Sequence, residues 1–158
     1  MKKILFVAAL LTASSVYAKE PQDYLIKIVN DDNQVVYQTG AGSAIGFQAH
    51  SSIREKGTLV RECHKSNGKT KSIAKSESYD TGYSSEIDLT KGNVNIAISS
   101  VDYSDYSKPD KSLECENTGQ PKQLIERYSI SFETDLETIQ EFKLSSKYRL
   151  QVQTLDSI

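Results

Sequence analysis

The sequence predicts an all-β fold: a single antiparallel β-sandwich or small barrel-like domain with one disulfide, preceded by a cleaved signal peptide. Three features lead to that expectation. Apolar residues fall on every second position in several runs, and turn-forming residues separate those runs at intervals of around ten residues. No segment sustains the three-and-four spacing of a helix; Thr134 to Glu141 has room for one turn at most.

The chain of 158 residues opens with a basic Met1-Lys2-Lys3, an unbroken apolar run from Ile4 to Leu11, and a small-residue stretch ending Val16-Tyr17-Ala18. That order is the pattern of a secretory signal peptide, and the apolar run is far shorter than the roughly 20 residues a membrane-spanning helix needs. The expected division is a signal peptide over 1–18 and a single β domain over 19–158, exported to a bacterial periplasm or beyond, with no membrane insertion after cleavage.

The clearest alternation lies in Asn93 to Ile98, in Tyr128 to Phe132 (with Leu124 and Glu126 in the same register), and in Tyr148 to Gln153. One buried face and one wet face is the signature of an antiparallel sheet. Less regular strand candidates are Tyr24 to Val29, Val35 to Gln38, Ala44 to Ala49, Thr58 to Cys63, Thr70 to Lys75, Ser84 to Leu89 and Ile139 to Leu144. Asn30-Asp31-Asp32-Asn33, Asn67-Gly68 and Lys91-Gly92 fall between runs. Asn-Gly is a strong hairpin signal because both central residues of a type I′ turn need positive φ. The expected core is Ile26, Ile28, Val36, Phe47, Leu59, Ile96, Ile98, Tyr128, Ile130, Phe132, Leu150 and Val152. A lipid-facing barrel does not fit, since the alternate positions carry Ser, Glu, Arg, Gln and Asn where an apolar band is required.

Export gives the two cysteines a meaning. Cys63 and Cys115 form an even pair in an oxidising compartment and are expected to be joined. That bond would pin the loop-like stretches Ser99 to Lys111 and Glu116 to Pro121 to the strand carrying Cys63. Removing Lys2 and Lys3 with the leader takes the basic count from 19 to 17 against 21 acidic residues, a balance of −4. A mildly acidic chain lacks the basic surface that nonspecific nucleic-acid binding requires.

Residues that would carry a reaction are few. The two histidines, His50 and His64, lack the close partners of a zinc site, so no metal and no cofactor is expected. Asp80-Thr81-Gly82 matches a short aspartic-protease motif, but no apolar strand leads into it, and it reads as a turn between two strands. Gly40-Ala41-Gly42 is followed by neither the Lys-Ser/Thr nor the helix of a phosphate loop, and reads as a bulge or bend. The tyrosines are more informative. Tyr79 and Tyr83 bracket one turn, and Tyr103 and Tyr106 lie in a Ser/Asp-rich loop. Tyrosine offers large contact area with few torsions to freeze, so these four residues form the candidate binding surface.

The run Gly57 to Cys63, then Asn67-Gly68, Thr81 to Leu89 and Asn93 to Ile98, with Leu124 to Tyr128 followed by Glu133 to Leu144, resembles strand patterns in bacterial secretins. These are the outer-membrane channel proteins of type II secretion and type IV pilus systems. The chain departs from them in being far shorter and in lacking an apolar band for membrane insertion. The resemblance implies a small soluble periplasmic relative or accessory of a pilus or secretion apparatus, and transfers no site residue. The expected function is therefore an exported, non-enzymatic protein-binding β domain with a protein partner in the cell envelope. The alternatives are a fimbrial subunit, which would need an incomplete fold and a donor strand, or a periplasmic inhibitor of a lysozyme-type enzyme.

Overall fold

The computed structural model describes residues 22–111, 113, 115–134 and 138–155. The proposed signal peptide lies outside the described residues, as do residues 135–137 of the stretch Thr134 to Glu141, whose last two residues belong to a strand. The described residues contain no helix. They form nine strands: β1 (Asp23–Asn30), β2 (Val35–Gly42), β3 (Phe47–Ser51), β4 (Arg54–Ser66), β5 (Lys69–Asp88), β6 (Asn93–Asp102), β7 (Lys122–Ser131), β8 (Gln140–Lys143) and β9 (Tyr148–Leu155).

Two antiparallel sheets face each other. One has the order β2-β1-β9-β8; the other runs β3-β5-β6-β7, with β4 continuing the β3 edge of the long β5. Their inner faces supply one core, in which Ile26, Ile28, Leu150 and Val152 meet Ile87, Val94, Ile96 and Ile98, all 3% exposed or less. Each such side chain contributes about 1.5–3 kcal/mol by leaving water. The last strand, β9, sits between β1 and β8 and pairs with β1 along its whole length. β9 is thus an interior strand of its sheet.

One hydroxyl contact and two ring packings tie the sheets together near β2. The hydroxyls of Tyr37 and Ser85 lie 2.9 Å apart in the interior. Tyr83 of β5 stacks on Tyr37 of β2 at 5.8 Å between centroids, and meets the edge of Tyr148 of β9 at 6.3 Å.

The strands depart from expectation in one instructive place. Thr70 to Lys75 and Ser84 to Leu89 belong to a single strand, β5, of 20 residues, and Asp80-Thr81-Gly82 lies inside it. The reason is that β4 supplies hydrogen-bond partners for residues 69–81, while β3 and β6 take over for the remainder. Gly82, at φ 132°, is the changeover. A Cβ there would stand 2.6 Å from the Ser52 carbonyl oxygen, so only glycine lets the break between β3 and β4 cross so closely. Gly40-Ala41-Gly42 likewise lies within β2, opposite Leu25, Tyr24 and Asp23, and the chain turns only afterwards, over 43–46.

Beyond Gly82 the β4–β5 hairpin projects as a two-stranded arm, closed at its tip by Asn67 (φ 50°) and Gly68 (φ 72°). Main-chain groups of Arg61 and Cys63 point away from β5, so those of the opposite residues Ala74 and Ser72 point away from β4. Gln123 bonds the N–H and C=O of Asp80. From Ser72 to Ser78, by contrast, nothing among the described residues pairs with the outward main-chain groups.

Seven of the twelve expected core residues are buried, and Val36, Tyr128 and Ile130 pack partly against them. Phe47 and Leu59 do not: they are 57% and 46% exposed. Phe47 stands opposite Asp88 on the wet face of β3, whose inward positions are Gln48 and His50. Leu59 sits on the arm, where no opposing sheet covers it.

Candidate functional site

The loop between β6 and β7, residues 103–121, folds back along the free edge of β4. Cys63 and Cys115 are joined by a disulfide with Cα atoms 5.2 Å apart. Around that tether the loop imitates a strand. The Thr118 N–H donates to the Arg61 carbonyl at 3.0 Å, and the Arg61 N–H donates to the Thr118 hydroxyl at 2.9 Å. The Cys63 N–H donates to the Asn117 carboxamide oxygen at 2.6 Å. Beneath the loop, Thr58, Val60, Tyr79 and Thr118 make a small interior separate from the main core, each 8% exposed or less. The two limbs of the loop also touch: the Ser107 N–H donates to the Thr118 carbonyl at 2.8 Å. Gly119, at φ 71°, is required there because a Cβ would fall 1.8 Å from the Asp105 carbonyl oxygen.

This arrangement presents Tyr103 and Tyr106 together, ring centroids 5.7 Å apart and tilted by 59°. The Tyr106 hydroxyl donates to the Leu59 carbonyl at 3.0 Å, and the Tyr103 hydroxyl lies 3.4 Å from that of Thr58. Both rings are half-buried and have few torsions left to lose. They line a cleft of about 620 Å³ with Lys56, Gly57, Thr58, Leu59, Arg61, Lys108, Pro109 and Lys111. The Lys56 ammonium stands 5.2 Å from the centre of the Tyr103 ring, a cation–π distance. Arg61 donates from one guanidinium nitrogen to the carbonyls of Asp110 (3.1 Å) and Leu113 (3.2 Å).

The other two expected site tyrosines are placed elsewhere. Tyr79 is 8% exposed under the loop and donates to the Glu77 carboxylate at 2.7 Å; burial, then that bond, raises its hydroxyl pKa. Glu77 also takes bonds from Lys75 and Gln120, and Lys75 first and Tyr79 next hold its carboxyl below the usual range. Tyr83 belongs to the ring stack between the sheets, where burial, followed by the Tyr148 hydroxyl, pushes its pKa up to about 12. The structure thus brings together Tyr103 and Tyr106 and gives Tyr79 and Tyr83 packing partners.

The histidines stand far apart. His50 faces Ser85 and His64 faces Lys71 along the same hairpin edge, 14 residues from one another, or roughly 45 Å of extended chain. His64 lies 3.8 Å from Glu62 on the exposed arm. His50 borders a shallow depression of about 420 Å³ beside Tyr37 and Ser52, with its Nε2 buried and without a partner among the described residues. No group of three or more potential metal ligands occurs among the described residues. A further depression, of about 390 Å³, lies on the wet face of the second sheet between Glu86 and Arg127, whose opposite charges leave it no net preference.

Arg61, Lys56, Lys108 and Lys111 were not foreseen as site residues. Their clustering depends on the loop folding back across some 50 positions, and only the expected disulfide hinted at it. Compared with protein-family models, curated proteins and solved structures, the chain finds no match. No helix among the described residues is long and apolar enough to cross a membrane.

Proposed function

We propose that the chain is an exported, non-enzymatic protein-binding β domain, acting as an accessory of an envelope assembly such as a pilus or secretion apparatus. One observation carries the binding reading: the half-buried pair Tyr103 and Tyr106, held outside the main core by a disulfide-tethered loop that Thr118 and Asn117 bond to the β4 main chain. Aromatic side chains fixed in advance lower the ordering cost of association, which otherwise takes about 0.5–1.5 kcal/mol per immobilised side chain. Export is supported by the leader pattern in the sequence and by the disulfide, a bond favoured in oxidising compartments.

The test is site-specific photocrosslinking in the native envelope, with the photoreactive residue at position 106 and, as a control, at position 27 on the first sheet. A discrete adduct from 106 that is absent from 27, and identified as a pilus or secretion component, is the expected result. An adduct with an envelope protein outside such assemblies overturns the accessory role, and no adduct at 106 overturns the protein-binding role of this cleft.

A further inference from the structure

We infer that the Tyr103–Tyr106 cleft takes an acidic peptide segment, one that sets two or more carboxylates around an apolar side chain. The inference rests on the protein-binding reading and adds the chemistry of the partner. Four cations line the cleft: Lys56, Arg61, Lys108 and Lys111. Some exposed cations elsewhere have carboxylate partners, whereas others, Lys69, Lys71 and Arg127 among them, have none among the described residues. Lys75 is bound by Glu62 and Glu77, Lys91 by Asp88, Lys122 by Asp105 and Arg149 by Glu141. None of the four cleft cations has a carboxylate within ion-pair distance among the described residues. Two of the loop's acids have other partners: Asp105 holds Lys122, and Glu116 accepts the Asp110 N–H at 2.9 Å. A chain with formal charge −2 thus sets four such cations around one concave place, where field lines focus and draw anions in.

The cations are arranged for short-range recognition as well. Arg61 is already fixed by two carbonyls, and Lys56 rests against the Tyr103 ring, so part of their side-chain entropy is spent before a ligand arrives. Leu59, Pro109 and the two rings supply carbon surface between the charges. That mixture discriminates between anions. Sugar hydroxyls are best held by carboxylate or carboxamide side chains, and the lining contains neither. A nucleic-acid backbone needs a run of basic contacts along many phosphates, which one cleft does not offer. A peptide carrying Asp or Glu beside Leu or Val satisfies both the charges and the carbon surface.

The experiment uses the purified, disulfide-bonded protein and fluorescence anisotropy of a labelled peptide, Glu-Leu-Asp-Glu-Leu-Asp. Comparison probes are its neutral counterpart Gln-Leu-Asn-Gln-Leu-Asn and a tetramer of galacturonic acid. The acidic peptide is expected to bind at about 20 mM NaCl and to weaken at about 150 mM, since partly exposed charges are screened over roughly 8 Å there. The neutral peptide should bind at least about tenfold more weakly, and Lys108→Glu or Lys111→Glu should each weaken the acidic peptide by about tenfold. Lys65→Glu, near the hairpin tip and outside the lining, should leave binding unchanged. Equal affinity for both peptides, no binding of the acidic one, indifference to both charge reversals, or binding of the galacturonate in its place overturns the inference. A position-106 crosslink that survives Lys108→Glu and Lys111→Glu overturns the acidic-peptide chemistry while leaving the protein-binding reading intact. Acidic-peptide binding without any envelope crosslink does the reverse.

Discussion

Replacing Cys63 and Cys115 together by Ser removes the tether between the loop and β4, and its cost follows from chain entropy. The bonded residues are 52 positions apart, so the cross-link reduces the entropy of the unfolded chain by roughly 2.1 + 1.5R ln 52, about 14 cal/mol/K, or about 4 kcal/mol at 25 °C. The folded state should change less, because Thr118 and Asn117 still bond the main chain of Arg61 and Cys63. In urea, with a slope of about 2 kcal/mol/M for a chain of this size, the unfolding midpoint should fall by about 2 M. Far-UV circular dichroism and tyrosine fluorescence should report the same transition. A midpoint shift below about 0.5 M would refute the entropic account. Coincident loss of slope and of agreement between the two probes would show instead that the tether was holding the folded loop in place.

Further outcomes test separate parts of the structure. Lys91 first, and Thr90 next, hold the Asp88 carboxyl down to about 2, below its ordinary value of 3.8. Its contribution is therefore complete above about pH 4 and is lost as pH falls towards 2, so Asp88→Asn should flatten the urea midpoint's dependence on pH across that window. Tyr37→Phe leaves the buried Ser85 hydroxyl without its partner and should cost about 1–3 kcal/mol, whereas adding Ser85→Ala should recover part of the loss. Gly119→Ala drives a methyl into the Asp105 carbonyl and should cost at least about 1–3 kcal/mol of local order, read as faster amide exchange at Ser107 and Thr118 with the main core still protected.

Much of the fold was legible because the sandwich core obeys the two-residue period. Ile26, Ile28, Val94, Ile96, Ile98, Leu150 and Val152 fall at every second position of their strands and are buried together. Cysteine arithmetic gave the disulfide, and Asn67-Gly68 gave the hairpin tip. The continuous β5 was not legible, because its arm half reads Lys-Thr-Lys-Ser-Ile-Ala-Lys-Ser-Glu-Ser, with no apolar stripe. Its pairing with β4 is satisfied by main-chain bonds that leave no mark in side-chain pattern. Phe47 suggests an inward position in the sequence, whereas register with β5 turns Gln48 and His50 inward. For the site, composition pointed to all four tyrosines alike. What separates Tyr103 and Tyr106 from Tyr79 and Tyr83 is where distant strands close over them, which only the folded chain reveals.

The bare flank of β5 has a consequence for the protein in concentrated solution. Unsatisfied amides in a row offer a landing strip to any extended chain, including another molecule of the same kind. Lys69 and Lys71 add positive charge at the tip half of that strand, so two such flanks approaching each other meet electrostatic resistance before their amides can engage. On this uncovered strand the two lysines act as bumpers. High ionic strength, or chemical capping of those amines, takes the bumpers away and favours sticking along this side.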